Sequence, residues 1–167
     1  MPYYMNIAIG ASCFNNGQED ATAASAAVAT NPRPYRRDIH TAILPTSPTA
    51  TSSRAELNAL VLALETALER KAGLQFRPRF HLFVKSCSSY VVGIMTEWKA
   101  KWQMNGWKDA KGNVIANKDL IERAVQLEEA VTRGGGGFVA YQLVPRKWNG
   151  YVNWAARKAL QWETKGQ

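Results

Sequence analysis

The sequence predicts an α/β domain: a five-stranded mixed sheet, with three antiparallel strands in a meander and then two parallel ones, flanked by helices. Three observations carry that expectation. Short β-prone segments separated by turn signals fill the first 44 residues. A strong helical pattern follows at 54–73. Beyond it strand and helix patterns alternate, the order in which helices connect strands of one sheet.

Residues 3–12 alternate and end in small side chains, which makes them the first strand. Asn16-Gly17, inside CFNNGQEDA, is a strong hairpin signal because both residues tolerate positive φ. Residues 21–30 are small and β-tolerant and form the second strand. NPRPYRRD (31–38) is a proline-punctuated turn, and IHTAIL (39–44) is the third strand. PTSPTATSS (45–53) is a loop that ends as a helix N-cap. In the helix at 54–73, Leu57, Leu60, Val61, Leu64 and Leu68 recur at 3.6-residue spacing, and Gly73 stops it. RFHLFVKS (79–86) is a fourth strand, too apolar to alternate, and is expected to be buried. Helical patterns fill 88–104 and 118–131, TRGGGG (132–137) breaks the chain, FVAYQLV (138–144) is the fifth strand and 149–162 the closing helix. With no internal repeat and no second core, 1–167 reads as a single domain.

The chain of 167 residues, 46% hydrophobic with six Trp, is long enough for a real core. No apolar run approaches the roughly 18 residues a membrane helix needs, and the N-terminus lacks the basic and hydrophobic regions of a signal peptide. The expected setting is therefore intracellular, in nucleus, cytoplasm or mitochondrion alike, with no membrane. Cys13 and Cys87 lie far apart without metal-ligand spacing, so they read as two reduced thiols. The net charge of +8, from 21 basic and 13 acidic residues, favours a polyanionic partner, nucleic acid before anionic lipid.

TSSRAELNALVLALE, the long stretch SYVVGIMTEWKAKWQMNGWKDAKGNVIANKDL, FVAYQLVP and NWAARKAL, in this order, resemble ribonuclease H over nearly the whole chain. The resemblance implies that family's five-stranded fold and its activity, cleavage of the RNA strand of RNA/DNA hybrids with two Mg²⁺ held by four carboxylates. Two-metal hydrolysis needs several hard oxygen ligands to hold and neutralise the ions. Here the pattern fails. The first-strand acid falls on Gly10, the fourth-strand acid on Cys87 before Ser88, and the last-helix acid on Asn153. Only the helix acid of the Arg-x-Glu motif is kept, as Glu56. The family's histidine is absent from VPRKWNGYVN, where Lys147 or Trp148 stands instead. A thiol is a poor Mg²⁺ ligand, an amide carries no charge and glycine offers nothing. Lys85 and Lys147 are expected to weaken metal binding further. Glu19, Asp20 and Glu163 are the other acids that could stand in for a missing one. Glu56 itself reads either as a remnant hydrogen-bonded to Ser12, Ser86 or Asn153, or as an acceptor for a ribose 2′-OH.

The binding positions implied by the resemblance survive better. Thr51 and Asn117 match a DNA phosphate pocket, although Thr49 replaces an arginine expected beside it. Trp98 and Trp102, one helical turn apart, line a sugar-phosphate channel or else pack into the core. Asn16 and Ser52 match backbone contacts on the RNA side. The stretch 96–118 carries Lys99, Lys101, Lys108, Lys111 and Lys118 against Glu97 and Asp109. Of these, Lys99, Lys101 and Lys108 are the expected phosphate contacts. The sequence thus points to a catalytically inactive ribonuclease H-like domain, without cofactor or metal, that binds RNA/DNA hybrid or double-stranded RNA. The alternatives are a protein-contact or homodimer scaffold anchored by Trp148, Tyr151 and Trp154, and a weak metal-dependent ribonuclease.

Overall fold

The computed structural model describes residues 1–30 and 36–166. It contains one five-stranded sheet in the order β3-β2-β1-β4-β5. The strands are β1 (Tyr3–Phe14), β2 (Thr22–Thr30), β3 (Arg37–Ile43), β4 (Phe80–Ser86) and β5 (Phe138–Leu143). β1, β2 and β3 pair antiparallel, while β4 pairs parallel with both β1 and β5. The helices are α1 (Ser52–Ala72), α2 (Ser89–Gly93), α3 (Lys99–Met104), α4 (Lys118–Thr132) and α5 (Gly150–Lys165). A π-helical turn, Ile94–Trp98, joins α2 to α3, and a 3₁₀ turn, Arg146–Asn149, precedes α5. This is the mixed sheet that the order of sequence patterns predicts. Of the proline-punctuated turn, residues 31–35 lie outside the described residues, and Arg37 and Asp38 already belong to β3.

β1 shows how the sheet serves two helical layers. Successive side chains point to opposite faces. Met5, Ile7 and Ile9 are buried in the main core beneath α1, with Leu57, Leu60 and Leu64 from the helix. On the other face, α5 packs Val152, Ala155 and Ala156 against Ala26 and Val28 of β2. β2 therefore lies between α1 and α5, and its run of alanines is buried on both faces. Small side chains let both helices approach the strand closely. Its one buried polar side chain, Ser25, donates to the carbonyl of Ala55 at 2.6 Å, so the hydroxyl is satisfied.

β4 departs from expectation. It does alternate: Phe80, Leu82, Val84 and Ser86 are buried towards α1, while Lys85 is exposed. The second face is uncovered by α5. It is shielded instead by rings, with His81 4.3 Å from Phe138 and 5.2 Å from Tyr4 between centroids. His81 and Phe83 hide the alternation because aromatic packing on a half-open face uses the same residues as a core.

Side chains fix the start of α1 and the end of α4. Thr51 caps α1 by accepting from the Arg54 N–H at 3.1 Å. The Lys71 ammonium, near the end of α1, donates to the Val131 and Arg133 carbonyls at 2.6 and 2.7 Å and so caps α4. Burial there, with Arg133 nearby, pushes the Lys71 pKa down. Among the described residues no helix is long and apolar enough to cross a membrane.

Candidate functional site

The four positions aligned with catalytic acids do come together, at the ends of β1 and β4. Gly10, Glu56, Cys87 and Asn153 line one cavity of about 380 Å³. Each is placed by a distinct element. Gly10 lies on the α5 face of β1, next to Ile9 on the α1 face. Cys87 follows the last residue of β4. Its flanking serines wire the turn: Ser86 Oγ accepts from the Ser88 N–H at 3.0 Å, and Ser88 Oγ caps α2 by accepting from the Val91 N–H at 3.2 Å. Ser88 then donates its proton to Glu56 Oε2 at 2.7 Å. Glu56 is therefore held by Ser88, not by Ser12, Ser86 or Asn153. Ser88 is the nearer choice because the helix-capping geometry aims its hydroxyl at α1.

Asn153 faces Gly10 and Cys87. Its amide nitrogen donates to Cys87 Sγ at 3.8 Å. A Cβ built on Gly10 would stand 2.3 Å from Asn153 Oδ1, and 3.0 Å from both the Asn153 nitrogen and Val152 Cγ1. A side chain at position 10 would need the Asn153 carboxamide to turn away and the Asn153 backbone and Val152 to give by a few tenths of an ångström. Glycine here leaves the room that the Asn153 carboxamide occupies, a contact between segments far apart in the sequence. Asn149 was also not anticipated. It is 2% exposed, and its amide donates to the Ile9 carbonyl at 2.8 Å with Cys87 Sγ and Asn153 Oδ1 each 3.5 Å away. A buried amide at the start of a helix ties the 3₁₀ turn to β1 and sets the position of α5.

The basic closing stretch 146–165, whose Arg146, Lys147, Arg157, Lys158 and Lys165 stand against Glu163, is expected to flank a groove. The cations at the cavity come from this stretch, and not from the pair expected to oppose a metal. Arg146 and Arg157 line the cavity; Lys147 does not, and Lys85 lines a separate cleft with Trp148. Glu19, Asp20 and Glu163 are elsewhere: Asp20 accepts from Asn15 at 2.8 Å in the β1–β2 turn, and Glu163 borders a groove beside Trp162. Cys13 also lines the cavity, and burial pushes its thiol pKa up against the lowering effect of a Ser52 hydrogen bond.

Around the cavity the expected contact residues divide. Asn16 and Ser52 are joined, the Ser52 N–H donating to Asn16 Oδ1 at 3.0 Å, and of the two Ser52 lines the cavity. Thr51 and Asn117 are linked through Arg54, whose backbone N–H reaches Thr51 and whose guanidinium donates to Asn117 Oδ1 at 3.3 Å. The same guanidinium grips Asp119 at 3.0 and 2.7 Å. This holds the Asp119 carboxyl below its ordinary pKa, with the Arg54 hydrogen bond as the largest cause. Asn117 also donates to the Tyr90 hydroxyl at 3.2 Å, so its amide is engaged within the protein. It sits at φ 60°, a left-handed conformation that asparagine tolerates.

Trp98 and Trp102 are half-buried against the main core, with ring centroids 6.1 Å apart. The indole of Trp98 lies over Gly93, where a Cβ would approach its ring to 3.0 Å. Each ring packs partly against the core and is partly exposed.

The lysines separate sharply. Lys99 is removed from the set of phosphate contacts. Its ammonium pairs with Glu128, which also accepts from the Tyr141 hydroxyl, and the two ion-pair side chains are 19% and 17% exposed. The Tyr141 pKa is raised well above the ordinary value by burial and by the Glu128 charge. Lys99 points inward because α3 follows the π turn and its first residue faces α4 and β5. Lys101 is exposed and only loosely paired with Glu97 at 3.7 Å, and Lys118 pairs with Glu122 at 3.8 Å. Lys108 is exposed in the loop between α3 and α4, where Asp109 orders the turn by accepting from the Lys111 and Asn113 N–H groups at 2.9 Å.

A family model for RNase H matches residues 3–133. The chain belongs to the ribonuclease H family. The ribonuclease H of Prochlorococcus marinus (strain NATL1A) is 35% identical over 74 residues, which span 44% of this chain and 42% of that protein. The chain thus aligns with less than half the length of this curated relative. LC9-RNase H1, a type 1 RNase H with the type 2 active-site motif, superposes with TM-score 0.70 at 23% identity, over 96% of this chain and 74% of that one. LC11-RNase H1 in complex with RNA/DNA hybrid gives 0.67 at 15%, over 96% and 99%. These likenesses extend the ribonuclease H fold through β5 and α5, beyond the end of the family match.

The donor set at the ribonuclease H acid positions does not fit two Mg²⁺ ions. Each ion takes six oxygens in octahedral array, and the pair brings a charge of about +4. The cavity offers one carboxylate, already bonded to Ser88, with a thiol, an amide and a glycine in the other three places. Among the described residues no three His, Cys, Asp or Glu side chains converge.

Proposed function

We propose that this ribonuclease H domain binds RNA/DNA hybrid, or double-stranded RNA of the same A-like shape, and does not cleave it. The observation that carries the reading is Gly10. Three acids could be lost by substitution alone, but at Gly10 the space for the missing side chain is also filled by Asn153 and Val152 of α5. The binding half rests on the family relationship, on a structural relative whose complex holds an RNA/DNA hybrid, and on the exposed cations that remain at Lys101, Lys108 and the cavity. Glu56, anchored by Ser88 through one oxygen, keeps its other oxygen as an acceptor suited to a 2′-OH.

The deciding experiment titrates labelled hybrid, double-stranded RNA and double-stranded DNA at two salt concentrations and then scores the same mixtures with Mg²⁺ for cleavage. Submicromolar binding of the hybrid, weakened steeply by salt and without cleavage, is expected. Cleavage that disappears in Glu56→Ala would make the domain a nuclease after all. No binding at low salt would leave a second reading, in which the exposed Trp148, Tyr151, Trp154 and Trp162 anchor a protein partner.

A further inference from the structure

We infer that the emptied catalytic cavity is itself an anion site, in which Arg146 and Arg157 take a backbone phosphodiester of the bound nucleic acid directly, with no metal ion between. The inference rests on the proposed nucleic-acid binding and names the contact made at that cavity.

Position comes first. Arg146 opens the 3₁₀ turn that the buried Asn149 ties to Ile9, so its backbone is fixed against β1. Arg157 is one helical turn after Asn153 on α5, on the same face of the helix. Both side chains line the cavity. Availability comes second. Arg54 and Arg70 are committed to Asp119 and Asp38. Arg146 and Arg157 are exposed, and among the described residues neither has a hydrogen-bond or ion-pair partner.

Charge comes third. Glu56 is the single carboxylate of the lining, so the two arginines leave a formal +1. Four carboxylates in the same place would repel a phosphate unless cations intervened; here the sign is reversed and the phosphate is attracted without help. Guanidinium groups match phosphate oxygens in paired hydrogen bonds, a geometry a point charge does not offer. The N-terminal end of α5, whose Gly150 lines the cavity, adds its positive dipole end. A nucleic-acid backbone is favoured over a free anion because Ser52, a backbone-contact position paired with Asn16, also lines the cavity. A strand resting on that edge carries its phosphate chain across the arginines.

The test compares the full chain with Arg146→Gln, Arg157→Gln and the double variant, each checked for native folding by thermal unfolding. Hybrid binding is measured across salt in EDTA and again with Mg²⁺. In EDTA the wild-type protein is expected to bind undiminished. Each single variant should lose about tenfold in affinity, and the double variant should lower the slope of log K against log salt by about two. In parallel, inorganic phosphate is titrated while the amide signals of Gly10, Cys87 and Asn153 are followed by NMR.

Hybrid binding with an unchanged slope in the double variant overturns the inference and leaves the proposed function standing. Binding that requires Mg²⁺ overturns it too. If the wild-type chain binds neither hybrid nor double-stranded RNA, the proposed function fails. Phosphate-induced shifts that vanish in the double variant would then keep a free-anion site, and no shifts would overturn the inference as well.

Discussion

Two arginine centres lie on either side of α1, and they are built in opposite ways. At the junction of α1 and α4, Arg54 has a side chain 13% exposed and is bonded to Asn117 and Asp119. At the cavity, Arg146 and Arg157 are exposed and unpaired among the described residues. The first centre joins elements of the fold. The second presents charge to whatever enters. The contrast shows that a basic excess has two uses, and only the partners of each cation tell them apart.

The strongest way to break the contrast is to put an acid back at the cavity. Gly10→Asp should destabilise the domain by about 3 kcal/mol, from overpacking against α5 and burial of a carboxylate. Urea denaturation measures this, and the variant should gain no Mg²⁺-dependent cleavage. A variant of wild-type stability that cleaves hybrid would show that α5 yields readily and that the cavity is still a metal site.

A smaller effect is expected at Lys99, which belongs with Arg54 rather than with the free cations. Lys99→Met leaves the half-buried Glu128 without its counter-charge and should cost about 2 kcal/mol. The salt slope of hybrid binding should not move. A reduced slope with unchanged stability would return Lys99 to the phosphate contacts.

Arg54→Ala should cost about 1 kcal/mol, discounted because Asp119 is 61% exposed. This cost carries a pH signature. The folded-state pKa of Asp119 is depressed, so its contribution is full above the unfolded value near ~3.9 and is lost as pH falls through the folded value. The stability gap between wild type and Arg54→Ala should therefore be constant from pH 7 to about 5 and narrow below pH 4. A gap independent of pH would mean that Asn117, and not Asp119, is the partner that matters. The smallest effect is expected for Lys101→Ala: stability within about 0.5 kcal/mol and a salt slope lower by about one.

Much of this was legible in the sequence, for reasons that can be named. α1 was plain because its leucines repeat at helical spacing over a long run, and the meander because turns separate its strands. The four acid positions could be aligned because each lies at a fixed offset from a strand end or a helix start. What escaped was whatever depends on contacts between distant segments. Ser88 and Glu56 meet across 32 residues, and Lys99 and Glu128 across 29. Arg157 stands in the same stretch as Lys158, yet only Arg157 lines the cavity. β4 was misjudged because aromatic residues on an open face imitate a buried strand. Gly10 could be read as a missing acid, while the close approach of Asn153 and Val152 of α5 to that position appears only in three dimensions.

The π turn at Ile94–Trp98 acts as a phase shift in an otherwise continuous helix. In an α-helix residues five apart point about 140° away from one another. Here the Lys99 N–H bonds back to the Ile94 carbonyl, and the Trp98 ring lies over Gly93, five residues earlier. One extra residue in the turn has rotated everything after it. Deleting that residue would restore α-helical winding and swing Lys99, Lys101 and Trp102 by about 100° around the axis. The inward lysine would face solvent without a single side chain having been exchanged.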